Sequence, residues 1–270
     1  MKRIYLKKSS EIERIRVAGK IVAHVLEELK NACQPGVTTK MLDDLAARII
    51  ESAGGRASFY HYRPDKRTYP AHICTSINDE VVHGIPGRRA LSEGDLVGVD
   101  VGVYLNGFHA DSAATFPVGQ VTEEARRLLE VTEGALYAGI AQARLGRRIG
   151  HISAAIQKYA ESNGFFIVKN LVGHGVGRSL HEDPQIPNYG DRNSGDRLQA
   201  GMTLAIEPMI NAGTEEVRIL PDHWTIITED GSLSAHFEHT IAITRDGPDI
   251  LTLAAGVDAR KLQVAFSGAA

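Results

Sequence analysis

The sequence predicts an α+β fold, an antiparallel sheet flanked by two pseudo-two-fold-related helix pairs. Three observations carry this expectation. Four amphipathic helical stretches fall into two pairs, one N-terminal and one mid-chain. Two long alternating segments turn on Asn106-Gly107 and Asp230-Gly231, dipeptides that favour tight hairpin loops. Moving the second helix pair back by 110 residues lays Gly146 on Gly36, Glu161-Ser162 on Glu51-Ser52 and Gly164 on Gly54, with Leu136 on Leu26 and Glu123 on Glu13. Hairpins beside helices imply α+β rather than a doubly wound sheet. A repeat of this size predicts one domain over 1–270, made of two related halves (roughly 10–119 and 120–245) with a site between them.

Each element has a local reason. SSEIERIRVAGKIVAHVLEELKNAC has helical periodicity, with Ser10 and Glu13 spaced as a capping box and Pro35-Gly36 as its stop. Thr38 opens a second helix, ended by Gly54-Gly55. Residues 122–143 form the third, with Glu123 and Glu124 at its positive end, and residues 150–162 the fourth, stopped by Asn163-Gly164. LVGVDVGVYLNGFHADSAATFPVG reads as one hairpin, TLAIEPMI as a strand, and HWTIITEDGSLSAHFEHTIAIT as a second long hairpin.

Composition excludes several classes. Apolar residues make up 43% and charged residues 23%, with a net charge of −3. That is an ordinary globular balance without the basic excess of a nucleic-acid binder, so no direct nucleic-acid binding is expected. The basic residues of MKRIYLKKSS read as a solvated arm or edge. Two cysteines, Cys33 and Cys74, fit a reducing compartment better than a disulfide framework. With no signal-like or membrane-length apolar run, the expectation is a cytoplasmic protein without membrane contact.

The chemistry sits in the strand regions. If Asn106-Gly107 is a two-residue loop, Leu105 faces Phe108 and paired numbers sum to 213. Asp111 then faces Gly102, on the same face as Asp100 two residues away. The two carboxylates become diagonal neighbours about 7–8 Å apart by backbone. They suit a pair of divalent cations, or else one is solvated and one caps a turn. Glu207 ends GMTLAIEP, where alternation alone makes it a solvent-facing residue. Glu238, in HFEHT before Ile241-Ala242-Ile243, is expected to be half-buried and in need of a partner. Four carboxylates with neutral His174 would balance two dications, in an oxygen-rich set suited to Mn, Fe, Co or Zn rather than to a thiolate site.

His174 and His181 stand seven apart in GHGVGRSLHEDP. Phosphate loops need other glycine spacings and a Lys, and the zinc-protease helix pattern is broken here by Asp183-Pro184. Three glycines argue against a helix, so a bend must lie between the histidines if they share a site.

The stretches CTSINDEVVHGIPG, GDLVGVDVGVYLNGFHADSAATFPVG, GHGVGRSLHEDPQIPNYG, GMTLAIEPMI and SLSAHFEHTIAIT span about 70 to 245. Together they closely resemble the type I methionine aminopeptidases of the pita-bread fold, in their short bacterial form. The resemblance implies metal-dependent removal of the initiator methionine from nascent proteins and peptides, with a small second residue preferred. It implies two metal ions: Asp100 chelates one, Asp111 and Glu238 bridge both, and His174 and Glu207 complete the other. A bridging water or hydroxide would attack the carbonyl. Glu207 would move its proton to the leaving amine, His181 would donate to the carbonyl oxygen, and His83 would contact the scissile amide. One metal would take the free α-amine. By themselves His83, His109 and His239 read as structural hydrogen-bonders, and the last two keep that reading. Cys74, alone a small buried apolar residue, would line the methionine pocket.

This chain also departs from the pattern. Between Phe59 and Cys74 it carries FYHYRPDKRTYPAHIC, a few residues longer and more basic than is common. Tyr69 is expected to reach the pocket. Leu180 stands where an aromatic is common. Trp224 matches a pocket position, but a simple Asp230-Gly231 hairpin pairs it with Phe237, off the face of Glu238. A zinc-binding N-terminal extension and the long type II insertion are absent, and a monomer is expected. Its partners would be nascent N-termini, at the ribosome or after release. Two competing readings are a proline-directed peptidase on the same fold, whose members usually carry a further N-terminal domain, and a non-catalytic binding module, whose members tend to lose ligands.

Overall fold

Ser9–Ala32 forms the first helix, α1, because Ile15, Ala18, Val22, Val25 and Leu29 recur every three or four residues and are buried along one stripe. The structure, a computed structural model, describes residues 4–254, so the ends of the expected 1–270 domain lie outside the described residues. The capping box expected from Ser10 and Glu13 does not form. The helix begins earlier, where the Lys8 backbone N–H donates to the Glu11 carboxylate at 2.8 Å. Glu13 instead accepts from Arg16 at 3.0 Å. In α2 (Thr39–Ser52), the Thr38 hydroxyl accepts the Met41 N–H at 3.2 Å. In α3 (Glu123–Gln142), Thr122 caps Ala125 in the same way at 3.1 Å. α4 follows at Ile149–Ser162. Such caps each contribute about 1 kcal/mol.

The 110-residue shift holds in the backbone. Gly36 and Gly146 have φ of +88° and +83°, and Gly54 and Gly164 have +75° and +84°. After each helix pair comes a two-residue strand, Arg56–Ala57 and Phe166–Ile167. The first pairs with Val103 and Tyr104, the second with Ile210 and Asn211.

Leu96–Leu105 and Phe108–Pro117 form the long hairpin, in unbroken register from Leu105–Phe108 to Leu96–Pro117. Positive φ at both Asn106 (50°) and Gly107 (90°) gives the type I′ turn that suits the strand twist. Val97, Val99, Val101 and Val103 are buried on one face, in one core with α1 and α2. The other core joins α3 and α4 to Leu204, Ile206, Ile210, Ile241 and Ile243.

TLAIEPMI is two strands, not one. Thr203–Ile206 belongs to a five-stranded sheet ordered 247–250, 239–244, 203–206, 172–175, 182–187. Met209–Asn211 leaves it to pair with Ser234–His236. The second long hairpin also fails to form. Gly231 turns with φ +75°, but Ile226–Thr228 pairs with 80–82 and 217–219, away from Ser234–His236.

Nor is the basic N-terminal stretch a solvated arm throughout. Its residues 1–3 lie outside the described residues. Lys7 is buried, and its ammonium reaches Glu182 at 2.5 Å, with the two side chains 4% and 5% exposed. Its backbone N–H donates to Gly201 at 2.7 Å. Removing one partner of a buried ion pair strands the other charge, which costs about 3–5 kcal/mol. Lys7→Met is therefore expected to lower the melting temperature by about 10 °C, read by calorimetry. A shift under about 2 °C would show that Glu182 finds other solvation.

Candidate metal centre and cleft

Strand parity gathers the acidic groups. Asp111 pairs with Gly102 across the hairpin, which places it diagonal to Asp100 on one face. Ile206 pairs with His239 and Met209 with His236, so both pairs sum to 445. Glu207 and Glu238, which share that sum, therefore stand opposite one another where the chain crosses between sheets. His174 pairs with Ala205, two residues from Glu207. That diagonal brings His174 Nε2 to 3.4 Å from Glu207 Oε1. Two backbone N–H groups tie the hairpin to 238–240: Asp111 N–H donates to Thr240 Oγ1 at 3.0 Å, and Glu238 N–H donates to the Ala113 carbonyl at 2.9 Å.

These groups line one cavity of about 610 Å³, with Asp100, Asp111, His174, Glu207 and Glu238 on its floor and His83 and His181 on its walls. Glu238 is 2% exposed, more deeply buried than the half-buried position expected. Glu207 faces the cleft instead of solvent, because Pro208 ends the strand at the sheet crossing and alternation stops there.

Burial and mutual repulsion dominate the electrostatics. Loss of hydration, then Asp111 and Glu207, raises the Asp100 carboxyl well above its usual range. Burial raises Asp111 to about 7. Glu207 and Glu238 are raised well above normal, chiefly by burial and then by Asp111. The imidazoles go the other way: burial lowers His174 to about 3 and His83 and His181 to about 4. Neutral histidines cannot compensate buried carboxylates, so either protons or cations must.

The donor set fits a divalent metal. Oxygen and nitrogen donors of Asp111, His174 and Glu238 lie within 4.8 Å of one another. Among the described residues, Asp100 Oδ1, Asp111 Oδ1 and Glu238 Oε1 are buried without a hydrogen-bond partner, which is costly unless another ligand is served. The nearby thiol of Cys74 is held protonated by burial. Hard oxygen donors with one imidazole remain.

Histidine placement follows the glycines. A Cβ at Gly173 would meet the Ala205 carbonyl oxygen at 2.4 Å, and one at Gly175 the Asp183 oxygen at 2.4 Å. These glycines let three backbones close up. The chain then turns through 176–181, and the two rings end 4.2 Å apart. His174 Nδ1 lies 2.9 Å from its neighbour's carbonyl oxygen, at Gly175. A carbonyl only accepts, so Nδ1 carries the proton and Nε2 presents its lone pair.

One end of the cleft is apolar. Phe59, Tyr69, Cys74 and Leu180 form a buried cluster against Tyr62 and Trp224. Tyr69 and Trp224 meet edge to face at 5.1 Å, and the Tyr69 hydroxyl donates to Gly84 at 2.9 Å. Trp224 thus reaches the cleft because the hairpin that would turn it away does not form. Leu180 packs in the cluster but is not among the cavity-lining residues. His109 and His239 hold structure: His109 Nδ1 lies 2.9 Å from Ser58 Oγ, and His239 lies between Tyr137 and Thr252. Two site residues escaped sequence reasoning. His236 Nε2 stands 3.7 Å from Glu207 Oε2. Its place two residues before Glu238 put it on that face and was the available signal. Tyr62 bonds His181, and nothing local marks it.

The model of Metallopeptidase family M24 matches residues 13–245. Methionine aminopeptidase 1 of Bacillus subtilis is 52% identical over 249 residues, covering 92% of this chain and 99% of the relative. The chain belongs to metallopeptidase family M24, among its methionine aminopeptidases. A methionine aminopeptidase crystal structure from Thermotoga maritima superposes with a TM-score of 0.90 at 44% identity, covering 93% of this chain and all of that one. The prolidase from Pyrococcus horikoshii shares the fold alone, at 20% identity and a TM-score of 0.73, with 63% of its length covered. The architecture is thus the pita-bread fold, and family membership makes this M24 enzyme a divalent-metal hydrolase. No described helix is long and apolar enough to cross a membrane.

Proposed function

We propose that this M24 methionine aminopeptidase removes the initiator methionine from nascent proteins and peptides through a dinuclear centre, preferring a small second residue. The observation that carries the reading is the convergence of four carboxylates, Asp111 and Glu238 among them buried, and neutral His174 on one cleft beside His83 and His181. Four negative charges match two dications; a single dication would leave two carboxyls to be neutralised by protons instead. Asp100, with Asp111 and Glu238, would hold one cation. His174 and Glu207, sharing Asp111 and Glu238, would hold the other. Co, Mn, Fe or Zn each suits this set. When bound, the cations supply a lowered pKa for the attacking water and a Lewis acid for the substrate's free α-amine.

This chain's residues do the rest. Glu207 accepts the water proton and passes it to the leaving amine. His181 donates to the carbonyl oxygen as charge develops, and His83 contacts the scissile amide. Cys74, Tyr69 and Trp224 hold the methionine side chain, with Leu180 supporting them from behind. The whole chain would act as one catalytic domain of two related halves, a cytoplasmic monomer meeting nascent N-termini at the ribosome or after release.

Metal analysis paired with peptide assays tests the reading. Met-Ala-Ser is expected to lose its methionine, while an Xaa-Pro peptide is left intact. Cleavage of the Xaa-Pro peptide alone would instead support the proline-directed reading. No cleavage of either by metal-loaded protein would favour a binding module.

A further inference from the structure

His174 and His181 sit with rings 4.2 Å apart yet need opposite chemistry. The first must offer a lone pair to a cation, and the second a proton to a substrate oxygen. A neutral imidazole has one N–H, and the partner of its inner nitrogen decides which nitrogen carries it. For His174 that partner is the Gly175 carbonyl, which can only accept. For His181 it is the hydroxyl of Tyr62, 2.6 Å from Nδ1. A phenol can donate to a bare Nδ1, which leaves the proton on Nε2. The Tyr62 and His181 rings also pack against one another, with centroids 5.2 Å apart.

The geometry points to Tyr62 as a positioning residue that holds His181 in the Nε2–H tautomer, so that its outer nitrogen donates into the cleft while His174 keeps the opposite tautomer.

The atypical loop supplies the rigidity this needs. Tyr62 N–H donates to the Phe59 carbonyl at 2.8 Å, and Tyr69 N–H donates to the Tyr62 carbonyl at 2.9 Å. His61 N–H donates back to Tyr69 at 3.1 Å. Residues 63–68 are therefore an outward loop closed at its neck by 61, 62 and 69. Tyr69 at that neck is itself anchored through its hydroxyl to Gly84. The loop thereby leaves Tyr62 fixed over His181 and Tyr69 in the apolar wall. On the other side, the Lys7–Glu182 ion pair holds the residue next to His181, so the imidazole is constrained from both directions.

This inference rests on the role given to His181 above, and the test separates the two. Zinc-loaded, ¹⁵N-histidine-labelled protein is examined by NMR for the His181 tautomer. The wild type is expected to show Nε2 protonated and Nδ1 bare. A protonated Nδ1 in the wild type would overturn the proposal without any substitution. Tyr62→Phe is expected to move the Nδ1 signal toward the protonated form and to lower kcat about tenfold with KM within about twofold, the worth of one orienting hydrogen bond. An unchanged tautomer in the variant would also overturn it. Adding Tyr62→Phe to His181→Ala is expected to cost nothing further; a full additional tenfold loss would mean that Tyr62 acts independently of His181. A His181→Ala enzyme as fast as the wild type would instead remove the donor role of His181, while the NMR result still decides the part played by Tyr62.

Discussion

Glu207→Gln is expected to lower kcat on Met-Ala-Ser by about a thousandfold, the middle of the range for loss of a positioned general base. Gln keeps the shape of the side chain and an oxygen, so the packing beneath it should survive. The Glu207 backbone carbonyl accepts the Asn188 amide at 3.0 Å, and that anchor is untouched. What is lost is one negative charge opposite Glu238 and the ability to take a proton. The melting temperature is expected to stay within a few degrees, and KM within a few fold. Metal content must be measured on the same sample, because Glu207 is also a proposed ligand. A variant that retains metal and turns over within tenfold of wild type would refute the proton role.

Chelation is expected to abolish turnover, and one or two equivalents of Mn, Fe or Co to restore it. Full activity in a verified metal-free sample would end the metal mechanism. Stability should follow the metal with a definite pH dependence. In metal-free protein Asp100, Asp111, Glu207 and Glu238 all have native pKa values raised above those of the unfolded chain. Between the unfolded and native values the native state holds more protons, so stability falls as pH rises. The benefit is fully present below about pH 4 and, for Asp111, is lost as pH passes about 7. Cations replace those protons at high pH. A metal at about 100 times its Kd adds about 2.7 kcal/mol, or roughly 5–10 °C in melting temperature. The gap between metal-loaded and chelated melting curves should therefore be wider at pH 8 than at pH 5. An equal or narrower gap at pH 8 would show that the carboxylates do not exchange protons for metal.

Much of this was legible locally. The Asn106-Gly107 turn sets the register of its own hairpin, and a period of two then carries Asp100 and Asp111 to one face. Thr38 and Thr122 announce their helices because a cap involves only the next three residues. The Ser10–Glu13 box failed because Glu11 satisfies the backbone two residues earlier.

Where partners lie far apart in sequence, the same rules misled. Asp230-Gly231 does turn, yet its flanking strands take partners at 80–82, 217–219 and 209–211. That choice brings Trp224 into the cleft and sets Glu207 against Glu238. Alternation could not place Glu207 because alternation describes a continuous strand, and this one ends at Pro208. Lys7 and Tyr62 carry no local mark; the first meets Glu182 across 175 residues, the second His181 across 119.

By itself, then, the sequence determined the helix pairs, their repetition, one hairpin and which side chains are proposed as ligands, since each depends on neighbours within a few residues or on motif chemistry. Only the tertiary structure decided which strands pair, and so which carboxylates share a cleft, how deeply they are buried and which nitrogen of each histidine faces it. Those properties belong to contacts between distant segments, and desolvation and hydrogen-bond partners exist only once those segments have closed on one another.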